Sequence, residues 1–393
     1  MPSLNFTSKL LELEDAIVDD LFISDFTIHI SLTMKRRPHR CPHCGSWTEQ
    51  VHDYRPSIIK DLPIMGKQTL LHYKKRRYHC PACNHHFYEA FPGLPKYCHI
   101  TTRLAFYSIH LLRNTQNVRS VSHTLGISAS SVFRRMSDVQ YPVPRHLPTV
   151  LSIDEFRGNA GGQKFQAILT DAANHKLFDI LPSRSQVSLM TYFQQFKNRN
   201  QVRYFVMDMN QVYRDIALSY FPNATIVIDR FHVVRYVTWA LENIRKRIQK
   251  QMHPSKRKYF KRSRRILLAH QSKLSRENLD ALEIMLMQSN DLAVAYHLKE
   301  LFYKFMSSEN RIEAGKRLHT FILATQVSQL NEFKPCLTML GNWSKYILNS
   351  FDCPYNNGYT EGTNNTIKVI KRNAYGYRNF NNFRNRIFLS LAK

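Results

Sequence analysis

The chain has 393 residues, more than one compact core usually takes, so about two to four domains are expected. A hydrophobic content of 43% excludes an intrinsically disordered chain. Lys and Arg number 56 against 29 Asp and Glu, which gives a net charge of +27 and favours a nucleic-acid partner. A basic protein without such a partner remains the alternative on composition alone.

The first twenty residues mix acids with apolar residues, and no stretch approaches the roughly 18 apolar residues of a membrane span. We therefore expect no signal peptide, no membrane contact and a cytoplasmic location. Four of the seven cysteines form two Cys-x-x-Cys pairs, which favours metal binding in a reducing compartment over disulfides.

An N-terminal segment, residues 1–36, contains an alternating apolar run that predicts one half-buried strand. The run consists of Phe26, Ile28, Ile30 and Leu32. Residues 37–95 follow, with short strands predicted around the paired cysteines.

Two matched cysteine pairs predict a structural zinc site in residues 37–95. Cys41 and Cys44 form the first pair, and Cys80 and Cys83 the second. Four thiolates in two chelating pairs give the closed tetrahedral site of a zinc ribbon, with no open position for water. Nearby histidines could replace a cysteine or face DNA; these are His43, His79, His85 and His86.

Residues 96–141 predict a helix-turn-helix DNA-binding domain, with Gly126 at the turn and Ser128 capping the second helix. The predicted core consists of Val121, Leu125, Ile127 and Val132. The residues predicted to face the major groove are Ser130, Ser131, Arg134 and Arg135. A plain helical hairpin fits the same pattern, and the neighbouring zinc ribbon favours DNA binding.

After a linker with three prolines, the sequence predicts an α/β layer with a mixed sheet. The predicted strands are residues 150–153, 165–170, 176–181, 202–207 and 225–228. A predicted helix between the third and fourth strands places Val187, Met190, Phe193 and Phe196 on one side. Residues 231–349 show only helical periodicity, which indicates an all-helical insertion at about residues 240–350.

Three acids carry the chemical hypothesis. Asp154 and Asp208 each follow an apolar β-prone run, and Glu361 opens a helical segment. Adjacent strands could bring the first two to one sheet edge, where the trio would hold two divalent ions for phosphoryl transfer. Oxygen ligands favour Mg²⁺. Taken singly, each acid could equally cap a helix or pair with an arginine.

Two neighbouring acids compete for these roles. Glu155 follows Asp154 along a strand, where successive side chains face opposite sides, so only one of them is expected at the metals. Asp229 ends another strand and is a possible fourth ligand. His232, three positions later, either orients a phosphate or is a structural histidine.

Residues 245–265 contain eleven Lys or Arg and no acid, with Tyr259 and Phe260 among them. Two interpretations fit this basic run. It could follow a phosphate backbone, with the aromatic rings free for stacking, or it could be a solvated helix face.

Three blocks of sequence carry a resemblance to a known family. They are Cys41-Pro-His-Cys44-Gly with Val51-His-Asp-Tyr-Arg, Asp61-Leu-Pro-Ile and Arg76-Arg-Tyr-His-Cys80; Ser152-Ile-Asp154-Glu; and Glu361-Gly-Thr-Asn-Asn-Thr-Ile-Lys-Val-Ile-Lys-Arg372 with Gly376-Tyr-Arg-Asn-Phe. In this order they resemble the ISL3 family of bacterial insertion-sequence transposases over nearly the whole chain.

The resemblance implies an α/β fold: a ribonuclease H-like catalytic domain of the Asp-Asp-Glu type at residues 149–393, preceded by the zinc ribbon and the helix-turn-helix. Asp154, Asp208 and Glu361 match the three acids, and Asp229 with His232 matches an Asp/Cys-x-x-His motif. The expected cofactors are catalytic Mg²⁺ or Mn²⁺ and structural Zn²⁺. DNA contacts are also expected from Lys368, Lys371 and Arg372.

The implied activity is hydrolysis of a phosphodiester at the transposon end, followed by attack of the released 3′-hydroxyl on target DNA. The expected partners are double-stranded transposon ends bearing terminal inverted repeats, target DNA, and a second copy of the chain, at least a dimer on DNA. Nucleoid association is expected when DNA is bound. Two alternatives are a DNA-binding regulator without catalysis and a structure-specific nuclease.

Overall fold

The computed structural model describes residues 4–113 and 116–391. The chain divides into two compact units. Unit 1 contains Met1–Pro142 and Lys368–Lys393, and unit 2 contains Val143–Ile367. Among the described residues, none of the helices is both long enough and apolar enough to cross a membrane.

Unit 1 is built on a five-stranded sheet and a small group of helices. Its elements are α1 (Leu4–Leu10), β1 (Ala16–Ile23), β2 (Thr27–Met34), β3 (His39–Arg40), β4 (Trp47–Thr48), β5 (Val51–Ile64), β6 (Lys67–His79), β7 (His86–Tyr88), α2 (Thr102–Arg113), α3 (Val118–Leu125) and α4 (Ala129–Asp138), with α15 (Phe380–Leu391) from the C-terminal part. The sheet order is β1-β2-β6-β5, with β7 pairing β6.

Strand β2 confirms the predicted alternation, because Ile28, Ile30 and Leu32 are all buried. Phe26 was wrongly included, since it precedes the strand and is 80% exposed. The sequence also missed β1, whose charged Asp19 and Asp20 break the alternation beside an irregularity in the pairing with β2. The strands β5 and β6 are long rather than short and join through a tight turn at residues 65–66.

Helices α2, α3 and α4 pack around the predicted core, and Val121, Leu125, Ile127 and Val132 are buried in it. Gly126 ends α3 in the left-handed conformation at φ 61°, and the Ser128 hydroxyl caps α4 by accepting the Ser131 N–H at 3.1 Å. Helix α15 packs on α2 and α4 within the same unit. The boundaries proposed from the sequence, with residues 368–393 in the catalytic domain, stay a prediction.

Unit 2 consists of a mixed sheet and a helical part. Its elements are β8 (Val150–Phe156), β9 (Gln166–Asp171), β10 (Lys176–Leu181), α5 (Gln186–Gln194), β11 (Tyr204–Met207), α6 (Gln211–Tyr220), β12 (Thr225–Ile228), α7 (Arg230–Gln251), α8 (Pro254–Arg262), α9 (Arg264–Leu268), α10 (Arg276–Leu286), α11 (Asn290–Met306), α12 (Arg311–Ser328) and α13 (Lys334–Asn349). Helix α14 (Gly358–Asn373) begins in unit 2.

The sheet order is β10-β9-β8-β11-β12. Strands β8, β11 and β12 are parallel neighbours, whereas β9 and β10 pair antiparallel. The five strands and the helical stretch from α7 to α13 agree with the sequence prediction. The predicted face of α5 is wrong at Val187, which is 75% exposed, because Leu189 and Phe193 form the buried side.

Candidate active site and zinc centre

The parallel strands bring the predicted acids toward one edge of the unit 2 sheet. Asp154 lies near the end of β8, Asp208 directly follows β11, and Asp229 directly follows β12. Because parallel strands end on the same side of a sheet, these three carboxylates share an edge. Glu361 lies in the first turn of α14 and is exposed.

The tightest grouping at this edge joins Asp208, Asp229 and His232. One potential ligand atom from each lies within 4.8 Å of the others, and His232 Nε2 is 3.2 Å from Asp208 Oδ2. Asp229 caps α7 by accepting the Phe231 N–H at 3.1 Å, which places His232 in the first turn of that helix. Asp154 and Glu361 stand outside this atom cluster, so the structure brings the five residues to one region without closing them into a single shell.

Crowded carboxylates change the acidity of the site. Burial raises the pKa of Asp154 to about 7, and the charge of Asp208 adds to the rise. Burial also raises the pKa of Asp208 to about 7, together with the charges of Asp229, Glu155 and, more weakly, Glu361. The pKa of Asp229 is raised mainly by burial. Such shifts arise where carboxylates are buried away from water and held close to one another.

The side chain of Asp154 is held from two directions. Its Oδ1 accepts the Glu155 N–H at 2.7 Å, and its Oδ2 accepts a hydrogen bond from Asn364 Nδ2 at 2.6 Å. Asn364 lies one helical turn after Glu361 on α14 and is only 4% exposed. One helix therefore supplies both an acid and the group that orients another acid.

A buried polar network fixes the start of the same helix to the sheet. The Thr360 hydroxyl is 3.1 Å from the Ser152 hydroxyl on β8 and 2.7 Å from the Thr170 hydroxyl on β9. Ser152 also donates to Asn357 Oδ1 at 2.5 Å. Since buried hydroxyls are costly to leave unpaired, this network holds the first turn of α14 against the sheet, with Thr360 directly before Glu361.

These two supports were missed by the sequence analysis. Asn364 stood in the quoted block and falls three positions after Glu361, a spacing that places both near one side of a helix. The contacts of Thr360 with Ser152 and Thr170 were not predicted, because these partners are about 200 positions away along the chain.

We call the carboxylates of this region, Asp154, Asp208, Asp229 and Glu361, the acid cluster. Its surroundings fit a hard divalent cation. Asp208 Oδ1 and Asn364 Oδ1 are buried and have no hydrogen-bond partner among the described residues. Buried oxygens without donors, next to carboxylates with raised pKa values, are the ligand set that Mg²⁺ and similar ions prefer. Glu155 makes an ion pair with Arg184 and accepts a hydrogen bond from the Tyr213 hydroxyl at 3.1 Å. Its charge also adds to the rise in the pKa of Asp208, and its exclusion from the metal site stays a prediction.

The four predicted zinc ligands meet in unit 1. The Sγ atoms of Cys41, Cys44, Cys80 and Cys83 all lie within 4.8 Å of one another. Each pair sits in a knuckle: the Gly45 N–H donates to Cys41 O and the Asn84 N–H donates to Cys80 O, both at 2.9 Å. Gly45 and Asn84 both have positive φ, which explains small or amide residues there.

Thiol chemistry also suits zinc. Hydrogen bonding to Ser46 lowers the pKa of Cys44 to about 6, which favours the thiolate that binds metal. Burial raises the pKa of Cys83 to about 12, so this thiol loses its proton when the metal binds. Four sulfurs complete a tetrahedral shell, so none of the four nearby histidines is needed as a ligand. They make ring contacts instead, His43 with His85 at 5.4 Å and His79 with His86 at 4.9 Å between centroids.

The predicted DNA-contacting residues of α4 differ in availability. Ser130 and Arg134 are exposed, whereas Ser131 is half-buried and Arg135 pairs with Asp138 at 3.0 Å. The hydroxyls of Ser130 and Ser131 both contact the Ser128 hydroxyl, at 3.0 and 2.9 Å. Lys368, Lys371 and Arg372 lie in the later turns of α14, and Lys368 and Arg372 are exposed.

Part of the basic run in residues 245–265 is structural. Arg245 is buried and donates to both Glu242 oxygens, at 2.7 and 2.8 Å, and Arg247 pairs with Asp291 and Glu332. Phe260 is 2% exposed, so its predicted availability for stacking is wrong. The side chain of Tyr259 lies outside the described part of the chain.

Known families match both parts of the chain. The family model of ISL3 transposases with an Asp-Asp-Glu domain, described as Transposase, matches residues 151–387. The zinc-finger of transposase IS204/IS1001/IS1096/IS1165 matches residues 37–83. The first match covers more than half of the sequence, and the chain belongs to the ISL3 family of transposases.

Similarity to individual proteins agrees with this assignment. The chain is 27% identical over 362 residues to the transposase for insertion sequence element IS1001 of Bordetella parapertussis, covering 90% of this chain and 88% of that protein. It is also 33% identical over 113 residues to an ATP-dependent protease of Lactococcus lactis subsp. lactis, which covers 28% and 34% of the two chains and is too little to carry an activity over. The protein is thus a DNA transposase with a zinc ribbon and a divalent-metal-dependent Asp-Asp-Glu domain.

Proposed function

We propose that this transposase binds the terminal inverted repeats of its insertion sequence, cleaves there and joins the 3′-ends to target DNA, with Asp154, Asp208 and Glu361 as the catalytic acids. The observation that carries the proposal is the edge of the mixed sheet, where acids with raised pKa values and unpartnered buried oxygens converge. Asp229 is proposed as a further metal ligand.

Features of the fold support two further parts of the proposal, the type of catalytic domain and the helix-turn-helix. A mixed sheet with parallel β8, β11 and β12 presenting acids at their ends supports a ribonuclease H-like catalytic domain. Two short helices joined through Gly126, with a capped and partly exposed α4, support a helix-turn-helix that reads DNA. Lys368, Lys371 and Arg372 on α14, and Ser130, Ser131, Arg134 and Arg135 on α4, are the proposed contacts to DNA.

Mg²⁺, or Mn²⁺ in its place, is the proposed catalytic ion. When bound, such ions activate the attacking water or 3′-hydroxyl and stabilise the leaving oxygen. In hydrolysis, water attacks phosphorus, the P–O3′ bond breaks, and the 3′-oxygen leaves as a hydroxyl. In strand transfer, that hydroxyl attacks a target phosphodiester, so one bond forms as another breaks.

The residues of the chain have distinct tasks in this scheme. Asp208 and Asp229 are held beside His232, whose Nε2 can donate to Asp208 or, once that carboxylate binds metal, to a DNA phosphate. Asn364 keeps Asp154 oriented from the same helix that carries Glu361. The four cysteines hold zinc and thereby the knuckles of the ribbon.

We also propose that synapsis of two ends requires at least a dimer on DNA, and that the protein acts in the bacterial cytoplasm in association with the nucleoid. The net charge of +27, which favours binding to a polyanion, supports the association with the nucleoid.

The direct test uses DNA carrying the element ends, with Mg²⁺ or Mn²⁺. Wild type should nick and join strands, while Asp154→Ala, Asp208→Ala and Glu361→Ala should each lose cleavage and keep end binding. A regulator without catalysis would bind ends and never cut them. Cleavage that survives in all three variants would refute the assignment of the acids.

A further inference from the structure

One face of helix α7 has a composition that the active site does not account for. At about 100° per residue, positions three, seven, 11, 14 and 18 after His232 return to its side of the helix. They are Arg235, Trp239, Asn243, Lys246 and Lys250, and all five are exposed. With His232 we call these residues the α7 face. The opposite side packs into the core of unit 2 and includes Val233, Val237, Leu241, Ile244 and Ile248.

The charge of the α7 face is uniformly positive. Glu242, the one acid in α7, is buried and accepts two hydrogen bonds from Arg245. Lys246 Nζ lies 3.8 Å from Glu242, a distance at which an exposed ammonium is weakly held, and the Lys250 ammonium makes no hydrogen bond or ion pair among the described residues. A solvated helix usually mixes both charges, and this face carries one.

A cleft at the far end of the face adds a concave surface. It has a volume of about 520 Å³ and is lined in part by Asn243, Lys246, Lys250 and Arg257. Arg257 on α8 closes one side by donating to the carbonyls of Gln249 and Lys250, at 3.1 and 3.2 Å. Basic clefts of this kind concentrate polyanions.

Trp239 lies midway along the face with 52% of its surface exposed. The Arg235 guanidinium covers one side of the ring at 4.3 Å from its centroid. A large aromatic ring stacked on an arginine and open to solvent is the platform on which nucleic-acid bases stack.

The face begins at the acid cluster. His232 contacts Asp208, and the positive charge of Arg235 opposes the rise in the pKa of Asp208. From His232 to Lys250 the helix rises about 27 Å at 1.5 Å per residue. With 3.4 Å per base pair, this corresponds to about 8 base pairs of DNA.

We infer that the α7 face is a track for the duplex DNA that leaves the acid cluster, with Arg235, Lys246 and Lys250 on phosphates and Trp239 as a stacking surface for a base that is unpaired beside the cut. This rests on the proposed function, because the track is useful only if the acids cut DNA. It assigns the helical part of unit 2 a role in holding substrate over about 8 base pairs.

The test compares two double variants that remove equal charge from exposed lysines of unit 2. Lys246→Gln/Lys250→Gln changes the face, and Lys304→Gln/Lys316→Gln changes α11 and α12. For duplex binding, the slope of log K against log salt should become shallower by about 2 in the first variant, at about 0.9 per lost phosphate contact, and stay near wild type in the control. Equal slopes in the two double variants would overturn the inference.

Substrate length gives the second arm. With duplex extending at least about 10 base pairs on both sides of the scissile phosphate, Lys246→Gln/Lys250→Gln should weaken binding; with about 3 base pairs on each side it should match wild type. A defect that is the same for both lengths contradicts a track. In wild type, DNA should also quench Trp239 emission, and Trp239→Phe should remove that quenching; quenching unchanged by the substitution would exclude stacking.

The outcomes separate the two ideas. If wild type shows no metal-dependent cleavage of end DNA, the proposed function fails. If wild type cleaves and the two double variants behave alike, only the track fails.

Discussion

Replacing Asp154 by Asn should stabilise the metal-free protein while it removes activity. In the folded chain, burial and the charge of Asp208 raise the pKa of Asp154 from 3.8 to about 7, about three units. At about 1.4 kcal/mol per unit, holding this carboxylate ionised costs up to about 4 kcal/mol above pH 7. Asn has the same shape without the charge. The new amide can still be met by Asn364, whose Oδ1 is unpartnered and can turn to accept.

The pH dependence has a defined sign. Because the folded pKa is raised, the stability contributed by this carboxyl is fully present below its unfolded pKa near 4 and is lost as pH rises through about 7. The advantage of Asp154→Asn over wild type should therefore grow from pH 5 to 7 and level off above that. Asp208→Asn relieves part of the same repulsion, so the double variant should gain less than the sum.

The assay is chemical denaturation at pH 5 to 8.5 in buffer dialysed free of Mg²⁺. Chelators are avoided because they would strip zinc from the four cysteines. A Trp47→Phe background leaves Trp239 and Trp343, both in unit 2, as fluorescence reporters. Added Mg²⁺ should stabilise wild type and not Asp154→Asn. The reasoning would be refuted if Asp154→Asn were less stable than wild type at pH 8. It would also be refuted if the difference in free energy of unfolding between the two proteins did not change with pH.

Four other changes have expected outcomes. Asn364→Ala should lower Mn²⁺ affinity about 10- to 100-fold by electron paramagnetic resonance titration, because it releases an orienting partner of a ligand; unchanged affinity would refute that role. Thr360→Val should cost about 1 to 3 kcal/mol in denaturant unfolding by orphaning buried hydroxyls, and Thr360→Ser should recover most of it. Cys41→Ser should lose zinc by elemental analysis, and wild type that contains no zinc would contradict the site. Gly126→Ala should cost about 1 to 2 kcal/mol in unfolding, since φ is 61° and a Cβ would lie 2.0 Å from Gln68 Oε1; a neutral effect would mean that the turn relaxes freely.

Much of the fold could be predicted because its determinants are local. The alternation of Ile28, Ile30 and Leu32 specifies a strand from side-chain period alone. Errors arose where burial depends on partners: Phe26 and Val187 are apolar and in phase with the predicted faces, yet they are 80% and 75% exposed. Strand β1 was missed because the charge of Asp20 interrupts its pattern of apolar residues. As an edge strand, β1 tolerates such an exposed charge.

The candidate site was predictable in its acids and less so in its supports. Asp154 and Asp208 follow apolar runs, a local pattern that a sequence displays. Their neighbours Asn364 and Thr360 act across about 200 positions, and hydrogen bonds at that separation leave no mark on spacing. Residues 245–265 contain no acid, so the sequence likewise gives no sign that Arg245 pairs with Glu242.

By itself the sequence determined the paired cysteine knuckles, the order of the strands and helices in unit 2, and the position of Asp154 and Asp208 at the ends of apolar runs. Short-range spacing sets both a metal-chelating pair and a secondary-structure period. Only the tertiary structure decided that His232 meets Asp208, that α14 joins Glu361 to the support of Asp154, and that one exposed face of α7 runs from the acids to Lys250. The physical reason is that these arrangements depend on which strands and helices pack side by side. That packing is settled by burial of the whole core rather than by any local run of residues.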